Sequence, residues 1–168
     1  MFCVGCIFID HASNHTHIEF QTHLNTHKTL KAKENYEHMC RGFGNIPQSY
    51  HTDKGSAFTS ADYAKELNEF KQVTTFAGVD AHRHNGKIER TIQTIMAIAR
   101  TMMLHSAIHW PETTDTSLWP MAVKQAVFLY NHLPDPATGF SPTMYSPKLA
   151  GRSSTCTIYT FGAVLYMF

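Results

Sequence analysis

His51-Thr52-Asp53-Lys54-Gly55-Ser56-Ala57-Phe58-Thr59-Ser60 is the stretch on which the fold turns. Ile46-Pro47-Gln48-Ser49-Tyr50 leads into it as a short strand, and Asp53 stands at that strand's end. Thr59 and Ser60 offer side-chain oxygens for a helix N-cap ahead of Tyr63, Leu67 and Phe70, which are spaced i, i+4, i+7. A second acid, Glu89, opens the helical pattern of Asn85-Gly86-Lys87-Ile88-Glu89-Arg90, with thirty-five residues (positions 54 to 88) between the two acids. A carboxylate at a strand end and another on a helix can converge on one divalent cation, which takes hard oxygen ligands. Such sites serve phosphoryl transfer, in which two cations steady the attacking and leaving oxygens.

Outward from this pair, the chain alternates strands and helices. Residues 4–10 and 16–21 read as strands joined by the turn Ala12-Ser13-Asn14. Ala32, Tyr36, Met39, Cys40 and Phe43 recur at helical spacing and predict a helix over 28–42. Val73-Thr74-Thr75-Phe76-Ala77 is a short strand closed by Gly78. Ile88, Ile92, Ile95, Met96, Ala99 and Met102 form an apolar stripe on a helix over 86–105, which leaves Glu89, Gln93 and Arg100 on another face. A last helix near 117–131 buries Leu118, Ala122, Val123, Ala126 and Tyr130. This order predicts a layered α/β domain. An isolated Glu at position 89 would read only as a helix-start acid favoured by the macrodipole; its pairing with Asp53 argues for more.

Composition sets bounds. With 168 residues and 43% hydrophobic composition, the chain can bury a core as one domain. Fourteen basic and thirteen acidic residues give +1, so bulk charge does not announce nucleic acid. Locally, residues 71, 83, 87, 90 and 100 are Lys or Arg against only Asp80 and Glu89 between 71 and 100, a balance that attracts phosphate backbone as well as solvent. No apolar run is long enough to span a membrane and no signal-peptide order opens the chain, so a nuclear or cytoplasmic, non-secreted protein is expected. Cys3-x2-Cys6 with His11-x3-His15 leaves four residues between Cys6 and His11, too few for a zinc finger. His82 and His84 are expected in a loop near the acids.

The block at 51–60 closely resembles the one around the second acid of retroviral-type integrase catalytic cores, and 85–90 resembles the block around the third. Trp119-Pro120-Met121-Ala122-Val123 and Tyr130-Asn131-His132-Leu133-Pro134 look like the Copia-type retrotransposon version. The resemblance covers residues 4 to about 150. It implies an RNase H-like three-layer fold, a mixed sheet flanked by helices. It implies that Asp53 and Glu89 are catalytic and hold Mg2+ or Mn2+, and that Lys54, Asn85, Lys87, Arg90 and Gln93 contact nucleic acid. The implied partners are DNA (element ends and target) and, in an intact protein, further copies of the chain. The implied chemistry is trimming of a DNA 3′ end followed by strand transfer. A non-catalytic nucleic-acid or partner-binding module and an RNase H-like nuclease are the alternatives.

The chain also departs from that family. Its first acid belongs on a strand ahead of the hairpin, whereas Phe8-Ile9-Asp10-His11-Ala12-Ser13 matches the end of the second strand. Asp10 is the remaining acid near the start, with a turn-initiating role as its other reading. The core-like domain is therefore expected to span 1–134, N-terminally truncated and lacking the first, central strand. Residues 135–168 would be a linker and the start of a following segment, whose run Thr157 to Tyr166 is strand-like. Without a central strand its neighbours must close up or the sheet must split, at about 1–3 kcal/mol per unpaired buried polar group. Lys54 replaces the usual Asn after the second acid, and Ala57 stands where many Copia-type relatives carry an acid.

Overall fold

The computed structural model describes residues 4–42, 44, 46–76, 82–144 and 157–163, with backbone alone at 82–85, 87 and 157–163. The chain runs β1 (Val4–Asp10), β2 (Thr16–Gln21), α1 (Thr26–Gly42), β3 (Ser49–Thr52), α2 (Ala61–Glu69), β4 (Val73–Phe76), α3 (His82–His109), α4 (Trp119–His132) and β5 (Thr157–Ala163). Cys3 and the strand end expected at Ala77-Gly78 lie outside the described residues.

The hairpin forms where the sequence pattern placed it. Asp10 fixes its turn: Oδ2 accepts the Ser13 N–H at 2.9 Å and the Ser13 hydroxyl at 2.5 Å, while Asn14 takes φ 60°, a conformation Asn tolerates. Asp10 thus performs the turn-initiating role. In α2, the Ser60 hydroxyl accepts the Tyr63 N–H at 3.3 Å, the expected N-cap.

The sheet has the order β2-β1-β5-β3-β4. β1 pairs antiparallel with β2 and with β5, and β3 pairs parallel with β5 and with β4. The central position is therefore filled by β5, the furthest strand along the chain among the described residues. This corrects the expectation that the position is lost, with its neighbours closing up or the sheet splitting. The strand-like run expected to open a following segment thus lies, over Thr157–Ala163, inside this sheet. The physical reason is the one that made a gap costly: β1 and β3 each present an inward row of backbone donors and acceptors, and an extended run of Thr, Ile, Tyr and Phe can satisfy both rows.

Helices cover both faces. Ile7 and Ile9 of β1 pack with Ile18, Ile88, Ile95, Ala99, Trp119, Val123, Ala126 and Val127, so α3 and α4 lie on one side. Cys6 and Phe8 pack with Ala32, Tyr36, Tyr50, Phe58, Tyr63 and Leu67, so α1 and α2 lie on the other. The period-2 alternation of β1 thus splits one apolar run between two cores. The result is the three-layer arrangement expected. Among the described residues no helix is long and apolar enough to cross a membrane.

Candidate metal and nucleic-acid site

β3 is short, and a buried polar network on the α1 side holds it in place. Tyr50, 0% exposed, donates its hydroxyl to Glu37 Oε1 at 2.7 Å, and Gln72 Nε2 donates to the same oxygen at 2.7 Å and to the Pro47 carbonyl at 3.0 Å. Lys33 Nζ lies 3.0 Å from Glu37 Oε1, and both residues are buried. Burial alone would raise the Glu37 carboxyl; hydrogen bonds from Tyr50, Gln72 and Lys33 and the Lys33 charge hold it below the usual carboxylate range. α1, β3 and the approach to β4 are thereby tied together. Sequence reading missed this network, although Lys33 and Glu37 stand at the i, i+4 spacing of a helical ion pair.

Asp53 follows directly. Its Oδ1 accepts the Gly55 N–H at 3.3 Å, and a Cβ at position 55 would lie 3.1 Å from that oxygen, a tight contact that a larger residue would relieve only by a small shift of the carboxylate. Phe58 and Thr59 donate backbone N–H to the Gly55 carbonyl at 3.0 and 3.2 Å, and buried Ala57 and Phe58 anchor the loop. Burial raises the Asp53 carboxyl pKa, and the Gly55 N–H only partly offsets it. Burial, and after it the Asp53 charge, raises the pKa of the Cys6 thiol. Cys6 is a free, buried thiol. Lys54 is exposed, and among the described residues no ion pair links it to Asp53.

α3 carries the second acid. Ile88, Ile95 and Ala99 are buried and Ile92, Met96 and Met102 pack beside them, as the stripe predicted. Thr91 Oγ1 meets the Tyr130 hydroxyl of α4 at 3.4 Å, which helps fix the rotation of α3. Glu89, Arg90, Gln93 and Arg100 are exposed. The helix starts at His82 and not near 86, so His82 and His84 lie in its first turn and not in a loop. Glu89 then falls at the end of the second turn, beyond the reach of the macrodipole, which weakens the helix-start explanation for this acid. Asn85 and Lys87 have helical backbone, but their side chains lie outside the described residues.

One half-buried and one exposed carboxylate are hard oxygen donors of the kind that suit Mg2+ or Mn2+ with water completing the shell. Among the described residues no group of three or more His, Cys, Asp or Glu is assembled for a metal.

A further interaction escaped sequence reading. Asn131 of α4 uses both ends of its carboxamide on the edge strand: Oδ1 accepts the Thr16 N–H at 2.9 Å and Nδ2 donates to the Thr16 carbonyl at 2.7 Å. The side chain thus stands in for a neighbouring strand and pins α4 to β2.

No protein-family model matches the chain, and no curated protein matches it in sequence. Solved structures do match it in fold. The HTLV-2 integrase catalytic core domain in complex with magnesium, in its dimeric form, superposes with TM-score 0.63 at 16% identity, covering 84% of each chain. Its trimeric form gives 0.61 at 17% identity, over 83% of this chain and 82% of that one. The simian T-cell lymphotropic virus intasome in complex with PP2A regulatory subunit B56 gamma gives 0.62 at 16% identity, over 83% of this chain and 46% of that one. The fold is thus similar to that of the HTLV-2 integrase catalytic core.

Proposed function

We propose that this chain is an integrase-type core of a Copia-type retrotransposon, nuclear or cytoplasmic, which binds DNA ends and target DNA as an oligomer. The carrying observation is a half-buried carboxylate, its pKa raised by burial, at the end of the strand that opens α2 in an integrase-core fold. Asp53 and Glu89 would hold Mg2+ or Mn2+. The bound cation would supply Lewis-acid activation of the attacking oxygen at the scissile phosphate. Asn85, Lys87, Arg90 and Gln93 on α3, with Lys54 beside Asp53, would hold the phosphate backbone. Magnesium in the HTLV-2 cores and the assemblies in which the relatives were solved support this reading.

A second reading, binding without turnover, is favoured for residues 1–168 by the composition of β5: Thr157-Ile158-Tyr159-Thr160-Phe161-Gly162-Ala163 brings no acid to the strand beside β3. Two carboxylates do not readily fix cations on both sides of a phosphorus. Residues 1–168 are therefore expected to bind DNA weakly and to show no strand transfer in Mg2+ or Mn2+. Strand transfer abolished by Asp10→Asn would instead make Asp10 the first acid. Lys87→Ala and Arg90→Ala should each weaken DNA association alike across sequences and reduce the salt slope by about 0.9 for each phosphate no longer neutralised. An unchanged slope would reduce this face of α3 to solvated helix.

A further inference from the structure

The charge of the chain changes along α3. Residues 71 to 100 hold five Lys or Arg against Asp80 and Glu89, whereas residues 101 to 123 hold no Lys or Arg against Glu112 and Asp115. In that second stretch His105 and His109 stand one helical turn apart, and both are exposed. Their ring centroids lie 4.3 Å apart, inclined by 44°. Trp110 completes a triangle of rings, 6.0 Å from His105 and 5.7 Å from His109. Among the described residues the two imidazoles contact rings alone, which leaves their nitrogens to an outside ligand. The turn that follows is braced. Trp110 donates its N–H to the Ser106 carbonyl at 2.7 Å, and its own carbonyl accepts the Thr113 and Thr114 N–H groups, each at 3.1 Å. The Ser106 and Thr114 hydroxyls meet at 2.7 Å.

We propose that His105 and His109 form a second metal site, for a divalent transition-metal ion such as Zn2+ or Cu2+. Residues four apart on a helix share a face. Imidazole nitrogens about 2.0–2.1 Å from one cation stand roughly 3 Å from each other, a spacing that rotation of rings already in contact can reach. Imidazole suits Zn2+, Cu2+ and Ni2+, whereas carboxylates suit Mg2+ and Mn2+. Glu89 lies sixteen residues earlier (105 − 89), about 24 Å along the helix axis, so no ion is shared between the two places. α3 thus sorts cations by hardness between its ends. Among the described residues no third His, Cys, Asp or Glu joins the pair, so water or a donor from another molecule completes the shell. An ion bound across one turn clips the end of α3 and stays exchangeable.

Trp110 is the reporter. Titration of the full chain with Cu2+ should quench indole emission saturably, and Trp110→Phe should abolish the quenching. His105→Ala and His109→Ala should each weaken binding by about ten-fold or more, the scale of losing even an outer-shell partner of a metal ligand. Both positions are exposed and helical, where alanine is well tolerated. In the His109→Ala background, Ala107→His restores the histidine count but not the shared face, and binding should stay weak. Excess Zn2+ should displace Cu2+ and restore emission; excess Mg2+ should not. Quenching that survives Trp110→Phe or both histidine variants, recovery with Ala107→His, or displacement by Mg2+ would each overturn the site. Asp53→Asn with Glu89→Gln should leave the titration unchanged, and a weakened titration there would move the ion to the acids.

Discussion

Asp53 works against the stability of its own domain. Its pKa is raised by burial, so folding favours the protonated form. The sign follows: this contribution is fully present below the unfolded carboxylate pKa and is lost as pH rises through the higher folded value. At neutral pH the ionised side chain is a net cost, which a bound cation would relieve. Asp53→Asn should accordingly leave the neutral-pH stability unchanged or raise it, by on the order of 0.5 kcal/mol. Added Mn2+ should raise the melting temperature of the parent by mass action and leave the variant unmoved. Equal shifts in parent and variant would remove Asp53 from the metal site. Glu37 has the opposite sign: with its pKa lowered, its stabilisation is present above the unfolded pKa and fades as pH falls through the folded one.

Elements are joined here by side chains imitating backbone. The Asn131 carboxamide satisfies both polar groups of Thr16, which is 1% exposed. Asn131→Leu keeps the approximate volume but orphans a buried N–H and a buried carbonyl, at about 1–3 kcal/mol each. We expect a loss of about 2–4 kcal/mol by denaturant melts, with exchange protection falling first in β2. A loss below about 0.5 kcal/mol, the range of an ordinary surface substitution, would show that water replaces the amide readily. At this scale most elements were legible. Apolar period and cap chemistry located β1, β2, α1, α2 and α4 to within a few residues, because those signals are local. The start of α3 was missed by four residues: His82 to Asn85 carry no apolar period. The role of Asn131 was illegible for another reason, since a contact across 115 positions leaves no local mark.

For the whole molecule, the sequence singles out two candidate acids but not what surrounds them. The blocks at 51–60 and 85–90 named Asp53 and Glu89, but the network that seats β3 is spread over α1, β3 and the residue before β4. The identity of the central strand was also hidden, because strand order is settled by competition among all available edges and not by any one segment. Truncation after Met144 tests how far the fold depends on that outcome. It removes both inner ladders, and we expect the cooperative thermal transition to be lost, with dye-accessible apolar surface in its place. A sharp, unchanged transition would mean that residues 4–144 form a closed sheet without β5.

The order of strands also sets a timetable. Gly5 meets Ala163, 158 positions later (163 − 5), and the β1–β5 ladder is the most non-local pairing in the sheet. Pairings of such separation come late in folding and slow it. At about 5–20 residues per second, a ribosome needs on the order of 8–30 s to make the intervening chain. For that interval the most apolar strand of the nascent protein waits with one edge bare, in the form most prone to aggregation and most in need of a holding chaperone.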